Sequence, residues 1–206
     1  MNPLVCARCG ARVDPSGAAE AALTCVTCGH RQPFRRLPLY CVTGPSGTGK
    51  SAVGRLLVDA LADRFVVLEQ DVLWTAGLRD PTDEHRRFRT TWLRMAGMIQ
   101  QSGRPVVLCG TVVPPELEPL PERALFSDIH YLALTCEPDT LAARLRARPA
   151  WRQWDEPRIA EMLDYAAWVS DTAHRMSPPM TLLDTTDGTV ADTASRVTAW
   201  IDHRHG

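Results

Sequence analysis

No stretch of this chain approaches the roughly 20 apolar residues that a membrane-spanning helix needs. The N-terminus, Met-Asn-Pro-Leu-Val-Cys, lacks the basic region followed by an apolar one that marks a secretory signal. A soluble, cytoplasmic protein is the expectation. Net charge is also scarce, −1 over 206 residues. A molecule so balanced is no electrostatic magnet for nucleic acid or an anionic membrane. Repeats and low-complexity tracts are missing, which excludes an array architecture. What is present is a globular protein's share of apolar residues, in a length that suits one ordinary domain and a small appendage.

Cysteine is not scarce, and four of the seven cysteines are paired in sequence. Cys6-Ala-Arg-Cys9-Gly10 and Cys25-Val-Thr-Cys28-Gly29 are two C-x-x-C-G knuckles with 15 residues between them. Each pair can turn tightly about one metal ion, and the glycine after it relieves backbone strain in the turn. Four thiolates complete a tetrahedron with no open position, so the spacing points to structural zinc held by Cys6, Cys9, Cys25 and Cys28. A segment this small needs such a metal to fold. The competing redox reading expects a single pair beside a βαβ pattern, which this context does not offer. His30 could substitute for one cysteine, though a surface role suits it better. The unit, residues 1–36, resembles a zinc ribbon. Its five arginines against Asp14 and Glu20 give a formal +3, and zinc with four thiolates lowers this to about +1. Phe34 is its only aromatic residue, so a stacking platform for bases is missing and a structural or protein-contact role is favoured. Cys41, Cys109 and Cys136 stand singly in apolar segments, where free cysteine behaves as a small hydrophobe.

Residues 44–51, Gly-Pro-Ser-Gly-Thr-Gly-Lys-Ser, fit G-x-x-x-x-G-K-[ST] at Gly44, Gly49, Lys50 and Ser51. In such a P-loop the glycines let the backbone close into a nest of N–H groups around phosphate oxygens. Gly44, Ser46, Gly47, Thr48, Gly49, Lys50 and Ser51 are accordingly the candidate nucleotide cradle. Lys50 carries charge to the β- and γ-phosphates, and the Ser51 hydroxyl is placed for Mg²⁺. Context supports the motif. An apolar run of strand length over 37–43 precedes it, with Pro38 at the start, and a helical pattern over 52–61 follows. The helix adds its positive N-terminal end.

Beyond the loop, strand and helix patterns alternate. Strands are expected at 65–71, 104–110, 129–134 and 180–184. Helices are expected from Asp83 to Gln101, Pro138 to Arg146, Glu156 to Arg175 and Val190 to Ile201. Asp155 is the candidate N-cap of the third of these, with Pro157 in its first turn. A Pro-rich connection with a short helix near 122–126 lies between. The near-continuous apolar strands imply a buried parallel sheet. The predicted architecture is α/β: a P-loop NTPase fold with a five-stranded parallel sheet, helices on both faces, and a small N-terminal zinc ribbon.

Residues 37–206 resemble the small P-loop kinases: nucleoside and nucleotide kinases, shikimate and gluconate kinases, and chloramphenicol phosphotransferase. Three features beyond the P-loop carry the resemblance. Glu69-Gln70-Asp71 ends the second strand, and sites in parallel sheets lie at carboxyl strand ends. The resemblance implies that Asp71 contacts the acceptor hydroxyl and acts as base, and that Glu69 serves magnesium. The run Arg144-Leu-Arg146-Ala-Arg148-Pro-Ala-Trp-Arg152 follows the fourth strand and its helix, where these kinases carry a lid. Arg148 and Arg152 are the candidate lid cations, with Arg144 on the nucleotide side; a lid near 144–155 would neutralise the transferring phosphoryl group. Leu183-Asp184-Thr185-Thr186 after the fifth strand matches a loop that lies beside the adenine base, through Asp184 or its backbone. Arg87 and Arg89 fall where related kinases hold acceptor groups, although a charged helix face explains them more simply.

One departure stands out. Many P-loop enzymes end the third strand in a Walker B Asp; here it ends Leu108-Cys109-Gly110. Magnesium would rest on Ser51, phosphate oxygens and Glu69 or Asp71. That pattern, together with the lack of an Asn-Lys-x-Asp motif, argues against a motor ATPase or a switch GTPase. The reading is an ATP-dependent kinase with Mg²⁺ and structural Zn²⁺, acting on a small hydroxyl or phosphate acceptor, foremost a nucleoside or nucleotide. Two alternatives compete: a zinc-ribbon nucleic-acid-binding ATPase or polynucleotide end-processing kinase, and a nucleotide-sensing module that barely turns over.

Overall fold

The computed structural model describes residues 2–205. A small antiparallel sheet comes first: β1 (Ala18–Ala19), β2 (Ala22–Thr24) and β3 (Arg31–Pro33). Five further strands form the main sheet: β4 (Leu39–Thr43), β5 (Val66–Glu69), β6 (Val106–Cys109), β7 (Ile129–Thr135) and β8 (Thr181–Asp184). Their order is β5-β6-β4-β7-β8, and every pairing is parallel. The helices are α1 (Lys50–Ala60), α2 (Arg86–Ile99), the single turn α3 (Pro114–Leu117), α4 (Pro138–Arg146), α5 (Glu156–Thr172) and α6 (Val190–His205). Among the described residues no helix is long and apolar enough to cross a membrane.

Successive side chains of a strand point to opposite faces, and both faces of this sheet are covered. Tyr40 and Val42 of β4 pack with Val107, Leu132 and Leu134 under α1 and α6 (Val53, Leu57, Val197, Ile201). Leu39 and Cys41 pack on the other face with Val106, Leu108, Tyr131 and the α2 residues Phe88, Trp92, Leu93 and Ala96. The doubly wound arrangement expected from the apolar runs is the one observed. Cys41 and Cys109 are buried; Cys136 lies one residue beyond β7 and is only partly buried.

Element ends differ from the sequence reading by up to four residues, and three of these differences matter here. The second strand ends at Glu69, and Gln70–Leu73 turn as a 3₁₀ helix, so the two acids stand on different local structures. The helix expected from Asp83 begins at Arg86. Asp80 caps a 3₁₀ turn at Pro81–Asp83, Glu84 and His85 then take left-handed backbone (φ 54° and 61°), and Asp83 Oδ1 accepts from the Arg86 N–H at 3.1 Å to restart the helix. The last helix continues to His205. The Asp155 cap forms as expected, accepting from the Arg158 N–H at 3.0 Å.

The N-terminal unit does not stand apart. Cys6, Val13, Leu23, Cys25 and Phe34 belong to the same buried cluster as Trp92, Leu93 and Ala96 of α2. Phe34 is 2 % exposed and fits against Gly97, where an added Cβ would lie 3.8 Å from Phe34 Cζ. The Gln101 amide accepts from the Arg35 N–H (2.9 Å) and donates to the Arg35 carbonyl (3.1 Å). Arg36 donates to the carbonyls of Ala124 and Phe126 at 2.8 and 2.9 Å.

Candidate active site

The parallel register brings the carboxyl ends of β4, β5 and β6 to one edge: Glu69 lies beside Cys109, and Cys109 beside Val42. The P-loop leaves that edge. Gly44, Gly47 and Gly49 adopt φ of 123°, 98° and 95°, values that side chains with a Cβ rarely reach. Space enforces the same choice. A Cβ on Gly44 would come within 2.2 Å of the Leu134 carbonyl oxygen, and one on Gly47 within 2.7 Å of Leu141 Cδ1. Thr48 is buried and its hydroxyl donates to the Pro45 carbonyl at 2.9 Å, so its side chain shapes the loop from within. The Ser46 N–H points at the Met162 sulfur (3.3 Å), tying the loop to α5.

Lys50 opens α1. Its ammonium donates to the carbonyls of Gly44 (2.7 Å) and Pro45 (2.8 Å), folded back over its own loop. Burial lowers its pKa to about 8, against the raising effect of Asp71 and Glu69. Arriving phosphates would take the place of those carbonyls.

A cavity of about 740 Å³ opens over this loop. Lys50, Ser51, Glu69, Asp71, Arg144, Arg148 and Arg152 all line it, together with Ser46, Gly47 and Gly49. Residues from β5, the P-loop and the α4–α5 connection, far apart in sequence, therefore share one space. Gln70, between the two acids, is buried against Gly110, and its carbonyl accepts from Trp92 Nε1 at 3.1 Å. This fixes the acid turn to α2.

The arginine run divides. Arg144, on α4, donates to the carbonyls of Thr185 (2.8 Å) and Thr186 (3.2 Å), so it clamps the loop after β8. Asp184 accepts from the Thr186 N–H and hydroxyl (3.0 and 2.6 Å), and its carboxylate lies outside the cavity. Arg146 faces away and pairs with Glu156 at 2.7 Å. Arg148 lies past the end of α4, its guanidinium carbon 5.6 Å from the Trp154 ring centroid. Arg152 stacks on Trp151 at 4.7 Å. Desolvation and the neighbouring Arg152 lower the Arg148 pKa, against the raising effect of Asp71.

Arg87 and Arg89 take the simpler of their two readings, as charged residues of the α2 face, and not the acceptor role that the resemblance offers. Arg87 is exposed, within 3.8 Å of Asp83. Arg89 pairs with Glu116, and neither residue lines the cavity. In their place stand Trp74, Arg79 and Phe88, with Arg55 and Arg158. Trp74 and Arg79 belong to the irregular stretch after β5, where no periodicity could have singled them out.

The four knuckle cysteines come together as the spacing requires. Their sulfurs all lie within 4.8 Å of one another, and Cys6–Cys28 and Cys9–Cys25 are each 3.7 Å apart. Bonds of about 2.3 Å from a tetrahedral Zn²⁺ set sulfurs roughly 3.8 Å apart, so the cluster fits zinc. Gly10 and Gly29 turn at φ 72° and 70° behind each pair. Despite desolvation, the N–H groups of Cys28 and Thr27 draw the Cys25 thiol down to about 6, while, against the Ala11 N–H, the sulfurs of Cys28, Cys6 and Cys25 push the Cys9 thiol up to about 12; the thiolate a metal needs is favoured at Cys25. Buried Gln32 bolts the knuckle to its sheet, accepting from the Ala7 N–H and donating to the Pro3 and Val5 carbonyls (2.9, 2.8 and 3.2 Å).

A family model described as an AAA domain matches residues 41–164. The chain belongs to that family. This AAA domain also shares its fold with solved small P-loop kinases. A gluconokinase from Sinorhizobium meliloti 1021 is 20% identical, with a TM-score of 0.53 over 84% of this chain and 100% of that one. A shikimate kinase from Acinetobacter baumannii, in complex with shikimate, is 19% identical with a TM-score of 0.54, covering 83% and 96%. A shikimate kinase from Bacteroides thetaiotaomicron is 16% identical with a TM-score of 0.52, covering 81% and 98%. No curated protein matches in sequence. The AAA domain is thus a small P-loop kinase fold joined to a four-cysteine unit.

Proposed function

We propose that the protein is an ATP-dependent phosphotransferase that moves the γ-phosphoryl group onto a hydroxyl or phosphate acceptor, a nucleoside or nucleotide in the first instance. The observation that carries this reading is the single cavity that sets the P-loop lysine against the acids after β5 and beneath the α4–α5 arginines. Lys50 exchanges its carbonyl partners for the phosphates. Asp71, exposed in the cavity, orients the acceptor and takes its hydroxyl proton. Arg148 and Arg152, free of carboxylate partners among the described residues, neutralise charge on the transferring group. Ser51 and Glu69 would hold Mg²⁺, which supplies charge neutralisation at the phosphates. Positioning and electrostatics then provide most of the rate. In this reading residues 1–36 are a zinc ribbon that holds structural Zn²⁺ through Cys6, Cys9, Cys25 and Cys28, and residues 37–206 are the kinase domain with its lid near 144–155. Burial of Phe34, the ribbon's one aromatic, speaks against a nucleic-acid reader, since it leaves no stacking surface.

The test is an ATP-consumption screen over nucleosides, nucleotides and hydroxylated antibiotics, run with wild type and Asp71→Asn. Turnover with one acceptor class, abolished in the variant while ATP binding persists, is the expected result. Full activity of Asp71→Asn removes the base. ATP binding without product across the whole panel favours a nucleotide-sensing module instead.

A further inference from the structure

The β5–α2 side of the cavity is more elaborate than phosphate transfer alone requires. Trp74, three residues after Asp71, lines the cavity and is 40% exposed. His85 and Phe88 hold its ring edge-on, each with a centroid 4.9 Å away. Phe88 itself is 4% exposed and anchored on α2, so this wall has a rigid back. The Arg79 guanidinium carbon lies 5.8 Å from the Trp74 ring centroid. Among the described residues Arg79 has no side-chain hydrogen bond and no carboxylate partner.

The charge balance shows the same surplus. Six arginines and Lys50 line the cavity against two carboxylates, Glu69 and Asp71, and none of the molecule's ion pairs among the described residues involves those arginines. Like charges gathered in a cleft repel one another and raise the local concentration of anions. Mg²⁺ cancels much of the triphosphate's charge, and the cations placed around the P-loop and the α4–α5 connection are enough for it. Arg79 belongs to neither group: it follows β5 and lies beside Trp74.

We propose that the phosphate acceptor is an anion that carries a flat ring. The ring lies on Trp74, which Phe88 backs, the anionic group meets Arg79, and a hydroxyl reaches Asp71. This rests on the kinase reading above. In the transfer, the acceptor oxygen bonds to the γ-phosphorus as the bond from that phosphorus to the β–γ bridging oxygen breaks. ADP leaves with that electron pair, and the hydroxyl proton passes to Asp71. Guanidinium pairs equally well with phosphate and carboxylate, and flat rings stack on indole. Nucleoside monophosphates and hydroxylated aromatic acids share this chemistry.

Calorimetric titration of the full chain with matched pairs tests it: adenosine against its 5′-monophosphate, and 4-hydroxybenzoate against its methyl ester. The anionic member of at least one pair should bind roughly tenfold more tightly, the worth of one charge-assisted hydrogen bond. Arg79→Gln should erase that preference and Arg79→Lys should keep part of it; Arg79 is exposed, so both variants retain the fold. A preference confined to one pair names the acceptor's source. Equal binding within both pairs, no binding of either anion at millimolar concentration, or an unchanged preference in Arg79→Gln overturns the proposal. Binding is read without turnover, so a lack of ATP consumption would remove the kinase reading alone.

Discussion

Replacing Phe34 by alanine asks whether the N-terminal ribbon is a bead on a string or part of the core. The side chain is 2 % exposed and lies in the cluster that contains Trp92, Leu93 and Ala96 of α2. Gly97 leaves the room it occupies. The site cannot collapse freely, because α2 is held at its middle by the Trp92–Gln70 bond and at its C-terminal end by the Gln100 amide on the Pro38 carbonyl at 2.9 Å. Truncating a buried Phe in such surroundings costs about 3–5 kcal/mol. In a chain of this size each kcal/mol moves the melting temperature by roughly 2–4 °C. The variant should therefore unfold about 6–20 °C below wild type in zinc-replete buffer, in one calorimetric transition, with Trp fluorescence lost over the same range. A main transition at the wild-type temperature, preceded by a small separate one, would show that residues 1–36 fold on their own and would refute the shared core.

Three further predictions follow from the same contacts. A strong chelator should withdraw one zinc per chain, as read by a metallochromic dye, and lower the melting temperature of the whole molecule, since Cys6 and Cys25 lie in that core; a stoichiometry other than one refutes the site. Trp92→Phe removes the donor to the Gln70 carbonyl, at about 1–3 kcal/mol. Because that bond fixes the acid turn and not the P-loop, acceptor KM should rise while ATP KM holds; equal changes in both would refute a positioning role. Lys50 carries a pKa of about 8 in the free protein, and nucleotide phosphates favour its charged form. ATP binding should then take up a proton above pH 8 and weaken by up to about tenfold per pH unit there, measured by titration in buffers of different ionisation enthalpy. Proton release or a pH-independent affinity would contradict that assignment.

How much was legible in the chain differs from element to element. The ends of the five strands are legible to within two residues because each is a short apolar run bounded by Gly, Pro or polar residues, whereas their order in the sheet belongs to the fold. The boundary at Arg86 is not legible in the chain, because two consecutive non-glycine residues in left-handed backbone, Glu84 and His85, leave no compositional mark. Within the arginine run, Arg148 and Arg152 stand out as candidates and both line the cavity, but the pairing of Arg146 with Glu156 is visible only in the fold. Arg89 pairs with Glu116, 27 residues away, a contact that no local pattern reveals.

The sequence by itself determined the features whose requirements are local. A phosphate nest needs glycines at positive φ within a few residues, a zinc knuckle needs two thiols and a turn, and a buried strand needs an unbroken apolar run. Tertiary structure decided the rest. It merged the ribbon with the α2 face of the core, turned Arg144 into a clamp on the loop after β8, and brought Trp74, Arg79 and Phe88 into the same cavity as the P-loop. Each of those depends on which distant segments come to share one volume, and burial and charge pairing across such distances are properties of the folded chain.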